Sequence, residues 1–469
     1  MRRIFLGSIV LASCAVSLAI ANSETKAERK ARILAPTTDF SRAEQFERFQ
    51  GGSGTNLERM DQSAFSLPSA ALSFAQRSDF FIGNGIFDRP WVPAPSSTIA
   101  SDGLGPYFNA RSCQGCHIKD GRGHPPAEND TNMVSMLFAL SDANGQPDPV
   151  YGAQFQDLAI VGLESEGTVR VQYDYVPFTY PDGTVTELRK PVYSTDTDLA
   201  AGVSLNPRIA PPMIGLGLAE AIDAADILAL ADPDDADGDG ISGRAHITET
   251  GEIGRFGWKT TAPSILVQTG NAFSNDMGLS TRVRPAPWGD CTEARVACRT
   301  SFHGDTPTEP EIVDDLLDLV TFYSANLAVP ARRDYDAPEV LAGKELFYQV
   351  GCTGCHTPKF ATSAGAAEEQ RNQLIWPYSD FLLHDLGEGL ADQNPSGSIA
   401  GSEWRTQPLW GVGLTETVNG HTFFLHDGRA RSLEEAILWH GGEAERARQS
   451  FAELTAHERD LILTFLESL

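Results

Sequence analysis

Cys113-Gln114-Gly115-Cys116-His117 and Cys352-Thr353-Gly354-Cys355-His356 are two copies of one pattern, C-x-x-C-H. The spacing lets two thiols form thioethers to the two vinyl groups of one haem, while the next residue, His, reaches the iron from the proximal side. A zinc or redox cysteine pair is the competing reading of a single such pentapeptide. Two copies favour haem, because a zinc site would want its other ligands close by in pairs. The pattern therefore predicts two covalently bound haem c groups, on Cys113, Cys116 and His117 and on Cys352, Cys355 and His356. Of the remaining cysteines, Cys291 and Cys298 flank a short polar loop and are most simply a disulfide in an oxidising compartment.

The N-terminus supports that compartment. Met1-Arg2-Arg3 and the apolar run Ile4 to Ile20 have the form of a secretory signal peptide, with an A-x-A site at Ala19-Ile20-Ala21. Residues 1–21 are thus read as a leader, and the mature protein as periplasmic. Leu11-Ala12-Ser13-Cys14 also fits a lipobox, so a lipid anchor at Cys14 is the alternative processing. No later stretch approaches eighteen apolar residues, and no membrane span is expected. The 469 residues, 41% hydrophobic and 21% charged, are those of an ordinary globular chain, which excludes disorder, collagen and coiled coil. A formal charge of −27 argues against a nucleic-acid partner, because a phosphate backbone is held by Lys and Arg. The acidity suits a small cationic redox protein as electron donor, or serves solubility alone.

Around the second motif the pattern describes a small helical domain. Val340, Leu341, Leu346 and Phe347 mark a helix from Pro338 that runs into the motif. Thr455 can cap a final helix whose buried side is Leu461, Ile462, Leu463, Phe465 and Leu466. One helix before C-x-x-C-H and one closing the domain resembles a class I cytochrome c, over residues 330–469. The first motif has the same frame, stretched: Ile312 to Ala328 reads as its closing helix, ended by Pro330. Between them, Thr168–Tyr175 and Thr184–Leu188 flank Pro181-Asp182-Gly183 as a hairpin. The expected fold is mainly α with extensive loops and a small β-hairpin, as two class I cytochrome c-like haem domains, 22–330 and 331–469. Asp232 to Asp239 carries five carboxylates, and Asp235, Asp237 and Asp239 match the first half of a calcium loop. Position twelve from Asp235 is His246 rather than the bidentate Glu of an EF-hand, so a solvated acidic turn is the alternative.

Further motifs act as a set. They are Gly103-Leu104-Gly105-Pro106, Phe108-Asn109, Asp120-Gly121-Arg122-Gly123, Gly254-Arg255-Phe256-Gly257-Trp258-Lys259 and Asp276-Met277-Gly278. Pro408-Leu409-Trp410-Gly411, Leu425-His426-Asp427-Gly428-Arg429 and Leu433-Glu434-Glu435-Ala436 complete it. With the two haem motifs, the chain resembles the bacterial di-haem cytochrome c peroxidase superfamily, and within it the di-haem oxidoreductases formerly labelled thiol oxidoreductases. In the peroxidases the fourteenth residue after the His of a His-Asp-Gly turn is a Met that ligates the C-terminal haem. Here that position, counted from His426, is His440, which implies a bis-His pair, His356 and His440, on the second iron. Several relatives work as dimers, and a homodimer is what the resemblance implies, although no sequence feature marks an interface.

The first haem has no obvious sixth ligand; His246, His303 and Met277 are the candidates, His124 being too close to His117. Since an oxidant must bind iron directly, the substrate chemistry is assigned to this haem, with peroxide or another small oxidant as substrate. His246 is a candidate acid–base group, and Arg122 or Arg255 a candidate stabiliser of developing negative charge. For each, a structural or propionate-binding role is the alternative. Trp258, Trp404 and Trp410 are candidates to carry electrons between haems, with core packing the alternative; His384 and His421 read as structural or surface residues. The favoured function is a peroxidase-like enzyme drawing electrons from a soluble donor. A high-valent haem oxidase that modifies a protein or organic substrate, and a non-enzymatic electron-transfer cytochrome, are the other two. Replacing thioether by imidazole removes the ligand that raises the potential. His440→Met should therefore raise the midpoint potential of the second haem in a redox titration and leave both haems attached; an unchanged potential and spectrum would take His440 off the iron.

Overall fold

The computed structural model describes residues 25–469; the expected leader, with Cys14 and Ala19-Ile20-Ala21, lies outside the described residues. The chain divides into two compact units, residues 1–35 and 36–469. The described part of the first is α1 (Lys26–Leu34), where Thr25 and Glu28 form a reciprocal capping box.

In the second unit the longer helices are α2 (Phe74–Phe87), α3 (Ile265–Met277), α4 (Asp314–Ala325), α5 (Pro338–Gln349), α6 (Leu433–Trp439), α7 (Glu445–Glu453) and α8 (Ala456–Ser468). Pro338 occupies the first turn of α5, where its missing N–H costs nothing. Thr455 caps α8 and Glu458 completes the box. The helix read over 312–328 is shorter, with Val313 at its N-cap. Each C-x-x-C-H motif is backed by a crossed helix pair. Phe80, Ile86 and Phe87 of α2 pack on Leu317, Val320 and Tyr323 of α4, and Val340 and Phe347 of α5 pack on Ile462, Phe465 and Leu466 of α8. Both crossings run over a glycine: a Cβ on Gly83 would overlap the Leu319 carbonyl, and one on Gly343 the Leu461 carbonyl.

The strands are β1 (Tyr107–Phe108), β2 (Met136–Ser141), β3 (Gln154–Phe155), β4 (Leu158–Ala159), β5 (Val169–Thr179), β6 (Val185–Thr195), β7 (Ser204–Ile209), β8 (Phe360–Ala361), β9 (Leu374–Ile375), β10 (Leu383–Asp385) and β11 (Glu403–Arg405). They pair antiparallel as β3-β2-β7, β1-β4, β5-β6, β8-β9 and β10-β11. The hairpin β5–β6 is longer than its sequence signals, pairing from Val169 with Thr195 to Thr179 with Val185 around a turn at Gly183.

These sheets overturn the expectation of a mainly α chain built as two class I cytochrome c-like domains. The fold is mixed, with 29% helix and 16% strand in several small sheets. The physical reason lies in the long segment after the first motif and in 357–410. Neither is a loop: β2 and β7 bury alternate side chains, including Met136, Phe138 and Leu140, against Phe155 and Val169 in a core of their own.

The hairpin also reaches the C-terminal region. Tyr180 Oη donates to Glu434 at 2.6 Å, and Arg189 donates to the carbonyls of Gly428 (2.7 Å) and Arg429 (3.1 Å). From the other end of the unit, fully buried Glu47 is paired by Arg332 and by Lys344 at 2.8 Å. A buried carboxylate needs such partners to remain charged.

Gly343→Ala should force α5 and α8 apart and destabilise the protein by roughly 1–3 kcal/mol, the usual range for overpacking. A thermal melt checks this; an unchanged melting temperature would mean the two helices separate without cost.

Candidate functional site

Two cavities lie behind the two motifs. The first, ≈ 370 Å³, is lined by Cys113, Cys116 and His117, by Met136 and Met213, and by Asp276 and Met277 at the end of α3. The second, ≈ 460 Å³, is lined by Cys352, Cys355 and His356, and by His384, His426 and His440. Trp258, Arg405 and Gln407 line both, so they form the wall between them. Cavities of this size suit a bound small molecule.

Local backbone geometry aims the histidines. Ser112 caps the one-turn helix Cys113–Cys116, and His117 follows as its C-cap. His117 Nδ1 lies 2.9 Å from the Pro211 carbonyl, and His356 Nδ1 lies 2.8 Å from that of Tyr378. A carbonyl only accepts, so Nδ1 carries the proton in both and the Nε2 lone pair faces away, ready for a metal. Burial pushes both imidazoles down to about 4, which keeps them neutral. His440, the C-cap of α6, has the same arrangement, with Nδ1 2.7 Å from the Ala436 carbonyl and its pKa lowered by burial. The second cavity thus holds two imidazoles whose Nδ1 is bonded to a carbonyl and whose Nε2 is free, His356 and His440; His426, kept neutral by burial, is stacked on Trp404 instead. Among the described residues lining the first, His117 is the one histidine.

Buried donors test whether these residues suit haem, which carries two carboxylates. Arg122 Nε and Nη1, Arg405 Nε, Arg448 Nε and Gln407 Nε2 have no hydrogen-bond partner among the described residues, and all four side chains line the second cavity. Arg405 and Gln407 also face the first, as does Trp410, whose Nε1 is likewise without a partner. Burial pushes the Arg122 and Arg405 guanidinium groups down to about 10. An anionic group in each cavity would satisfy these atoms, and the four motif thiols beside it are not joined in disulfides. The residues fit haem.

Several expectations change. Arg122, expected at the first haem, lines the second cavity instead, because the turn after His117 carries it across to Phe424, 5.7 Å from its guanidinium. Arg255 lines neither cavity: its Nη1 donates to the carbonyls of Ala219, Glu220 and Ile222 and caps the short helix Leu216–Glu220. His246 also lines neither, and its Nδ1 is bound to the Thr260 carbonyl at 2.8 Å. His303 sits against Trp288, outside both cavities, whereas Met277 lines the first. Trp258 stands in the shared wall, its Nε1 donating to the Ile209 carbonyl at 2.9 Å. Trp404 stacks on His426 at 3.7 Å and carries the Lys259 ammonium 3.6 Å from its ring centroid. Buried His384 is clamped between Asp380 (2.8 Å) and Glu443 (2.7 Å). Burial opposes its charge, but the two carboxylates hold its pKa well above the ordinary value. In the acidic loop Asp232, Asp235 and Asp237 bring carboxylate oxygens within 4.8 Å of one another, while Asp239 accepts from Ile241 N at 2.8 Å. Cys291 and Cys298 are bonded as a disulfide.

Sequence reasoning missed Asp276. Its Oδ1 accepts from Gln154 Nε2 at 2.8 Å, and the same amide reaches Asn109, which reaches Asp157 at 2.8 Å. Burial pushes the Asp276 carboxyl up to about 6, the Gln154 bond opposing this. The Asp-Met-Gly triplet was visible, but nothing local says that its carboxyl faces a cavity.

A family model described as "Di-haem oxidoreductase, putative peroxidase" matches residues 47–138 and 151–469. That is most of the chain, and the protein belongs to this family. No curated protein matches it.

Because Asp276 holds its proton more tightly folded than unfolded, its ionisation lowers stability as pH rises from about 4 to about 6. Stability curves of the haem-loaded wild type and Asp276→Asn should therefore diverge across that window, with the wild type losing more as pH rises. Parallel curves would show a carboxyl with an ordinary pKa.

Proposed function

We propose that this di-haem oxidoreductase is an exported, periplasmic c-type enzyme of peroxidase type, whose first haem reacts with peroxide and whose second, bis-His haem relays electrons from a small soluble redox protein. The observation that carries the reading is the asymmetry of the cavities: a second neutral, carbonyl-held imidazole, His440, is available beside His356, and among the described residues none lies beside His117. Haem, when bound, supplies an electron store and, where a coordination position is open, a metal at which a small oxidant can be cleaved.

The protein's own part is to hold, orient and insulate. Cys113 and Cys116, and Cys352 and Cys355, would carry the thioether links. His117 and His356 are held neutral and aimed by the carbonyls of Pro211 and Tyr378. Arg405 and Gln407 would meet haem carboxylates in the shared wall, and Arg122 and Arg448 in the second cavity. Asp276, near its midpoint at about pH 6, can hold or release a proton at its carboxyl inside the first cavity. Trp258 is the ring best placed to pass electrons between the cavities. Trp404 is not, since an electron-deficient indole would face the Lys259 ammonium across 3.6 Å.

Among the described residues no helix is long and apolar enough to cross a membrane. A calcium ion at Asp232, Asp235 and Asp237 belongs to the same proposal, with Asp232 in the place expected for Asp239. So does a homodimer.

Low-temperature EPR of the ferric protein should give one high-spin signal and one low-spin bis-His signal, and turnover with peroxide and a reduced donor should follow. Two low-spin signals that persist after one-electron reduction, without turnover, would overturn the peroxidase reading in favour of simple electron transfer; Met277, Met213 or Met136 would then be the first iron's ligand.

A further inference from the structure

Tyr323, on α4, donates from Oη to Asp120 Oδ1 at 2.6 Å, and the two residues are 1% and 2% exposed. Asp120 follows the first haem motif by three residues. The pair is joined to the motif by aromatic contact: Phe87 of α2 lies 6.2 Å from the His117 ring and 5.1 Å from that of Tyr323, between centroids. Beyond Tyr323, Phe80 follows at 4.7 Å and Phe81 at a further 5.6 Å, and Phe81 is 59% exposed. A line of touching rings thus runs from the proximal ligand of the first cavity to the surface.

The second motif has a tyrosine in a comparable place, but without the base. Tyr378, whose carbonyl holds His356, is fully buried, and its hydroxyl has no hydrogen-bond partner among the described residues; nor has that of Tyr348. This difference matters for oxidation. A phenol that loses an electron becomes strongly acidic, so it is oxidised readily only where its proton has an acceptor already in hydrogen-bond contact. Tyr180 also donates to a carboxylate, Glu434, but its ring contact is with Phe178 on the hairpin, not with the rings that lead to His117.

We propose that Tyr323 is a redox-active residue of the first haem centre. Hydrogen peroxide takes two electrons and two protons to become two waters. When the reduced donor supplies neither electron in time, one would come from the haem centres themselves and the other is drawn from Tyr323 through Phe87, with both of peroxide's protons taken from solvent. The phenolic O–H bond breaks, the proton moves along the existing hydrogen bond to Asp120, and a neutral tyrosyl radical remains. The donor later returns the electron and Asp120 the proton, restoring the phenol. The line through Phe80 to exposed Phe81 gives that electron a way in from the surface.

The inference rests on the reading of the first haem as the peroxide-reactive one, and one experiment separates the two. Full-length protein with both haems bound, with and without ring-deuterated tyrosine, is mixed in its ferric form with hydrogen peroxide and frozen for EPR. The expected result is a free-radical signal that narrows on deuteration, is lost in Tyr323→Phe and is kept in Tyr180→Phe. Asp120→Asn, which retains an acceptor but not a base, should lower the radical yield several-fold. Fluorotyrosine placed at position 323 shifts the hyperfine pattern and decides the assignment even if Tyr323→Phe does not fold. A deuteration-sensitive signal that survives in Tyr323→Phe overturns the proposal, as does a haem spectrum altered by peroxide with no such signal in the wild type. A haem spectrum that peroxide leaves unaltered overturns the peroxide reading itself, and this inference with it.

Discussion

The hydrogen bond from a histidine Nδ1–H to a backbone carbonyl is the constraint on which both cavities depend. At His117 the acceptor is Pro211, 94 positions on, and at His356 it is Tyr378, 22 positions on. Without that bond the imidazole could rotate, change tautomer or take a proton; with it, Nε2 has one direction and a lone pair. The price in sequence is that residues near 211 and 378 must be delivered to the motif, and much of the architecture accomplishes this. The strand β7 runs Ser204–Ile209 directly into the Pro211 segment, and the turns around Tyr378 bring its carbonyl under His356. The helix pairs then close over the proximal side through Phe87 and Phe347, each 6.2 Å from its histidine ring.

How much of this was legible follows from how local each signal is. The C-x-x-C-H motifs, the helix start at Pro338, the cap at Thr455, and the closing helix before Pro330 are readable because a few adjacent residues decide them. The family resemblance was legible for the same reason, as a set of short motifs. The mixed fold was not. The strands after the first motif are short, and what makes Met136 or Leu205 a strand residue is a partner some seventy positions away rather than its neighbours. The α2 helix escaped as well, since it stands well before the motif it backs, and its Gly83 serves a close helix contact that only the fold reveals.

Side-chain destinations were the least legible of all. Arg122, Arg255 and His246 are equally polar in sequence, yet one faces a cavity, one caps a helix and one is tied to a loop carbonyl. No periodicity separates these outcomes, because each depends on tertiary contacts. His440 was reachable only through a resemblance that counted positions from His426. Asp276 shows the converse: it sat within a recognised triplet, but its meaning comes from Gln154 and the cavity beside it.

The staples between distant parts of the unit have a consequence for how the molecule comes apart. Glu47 is held by Lys344 across 297 positions, Tyr180 by Glu434 across 254, and Arg208 by Asp392 across 184. Each closes a long loop whose entropy is recovered only once the far partner has arrived. Local fraying at one motif therefore pulls on contacts that serve the other. Loss of order in such a molecule is expected to be cooperative, with the two cofactor cavities melting together rather than in sequence.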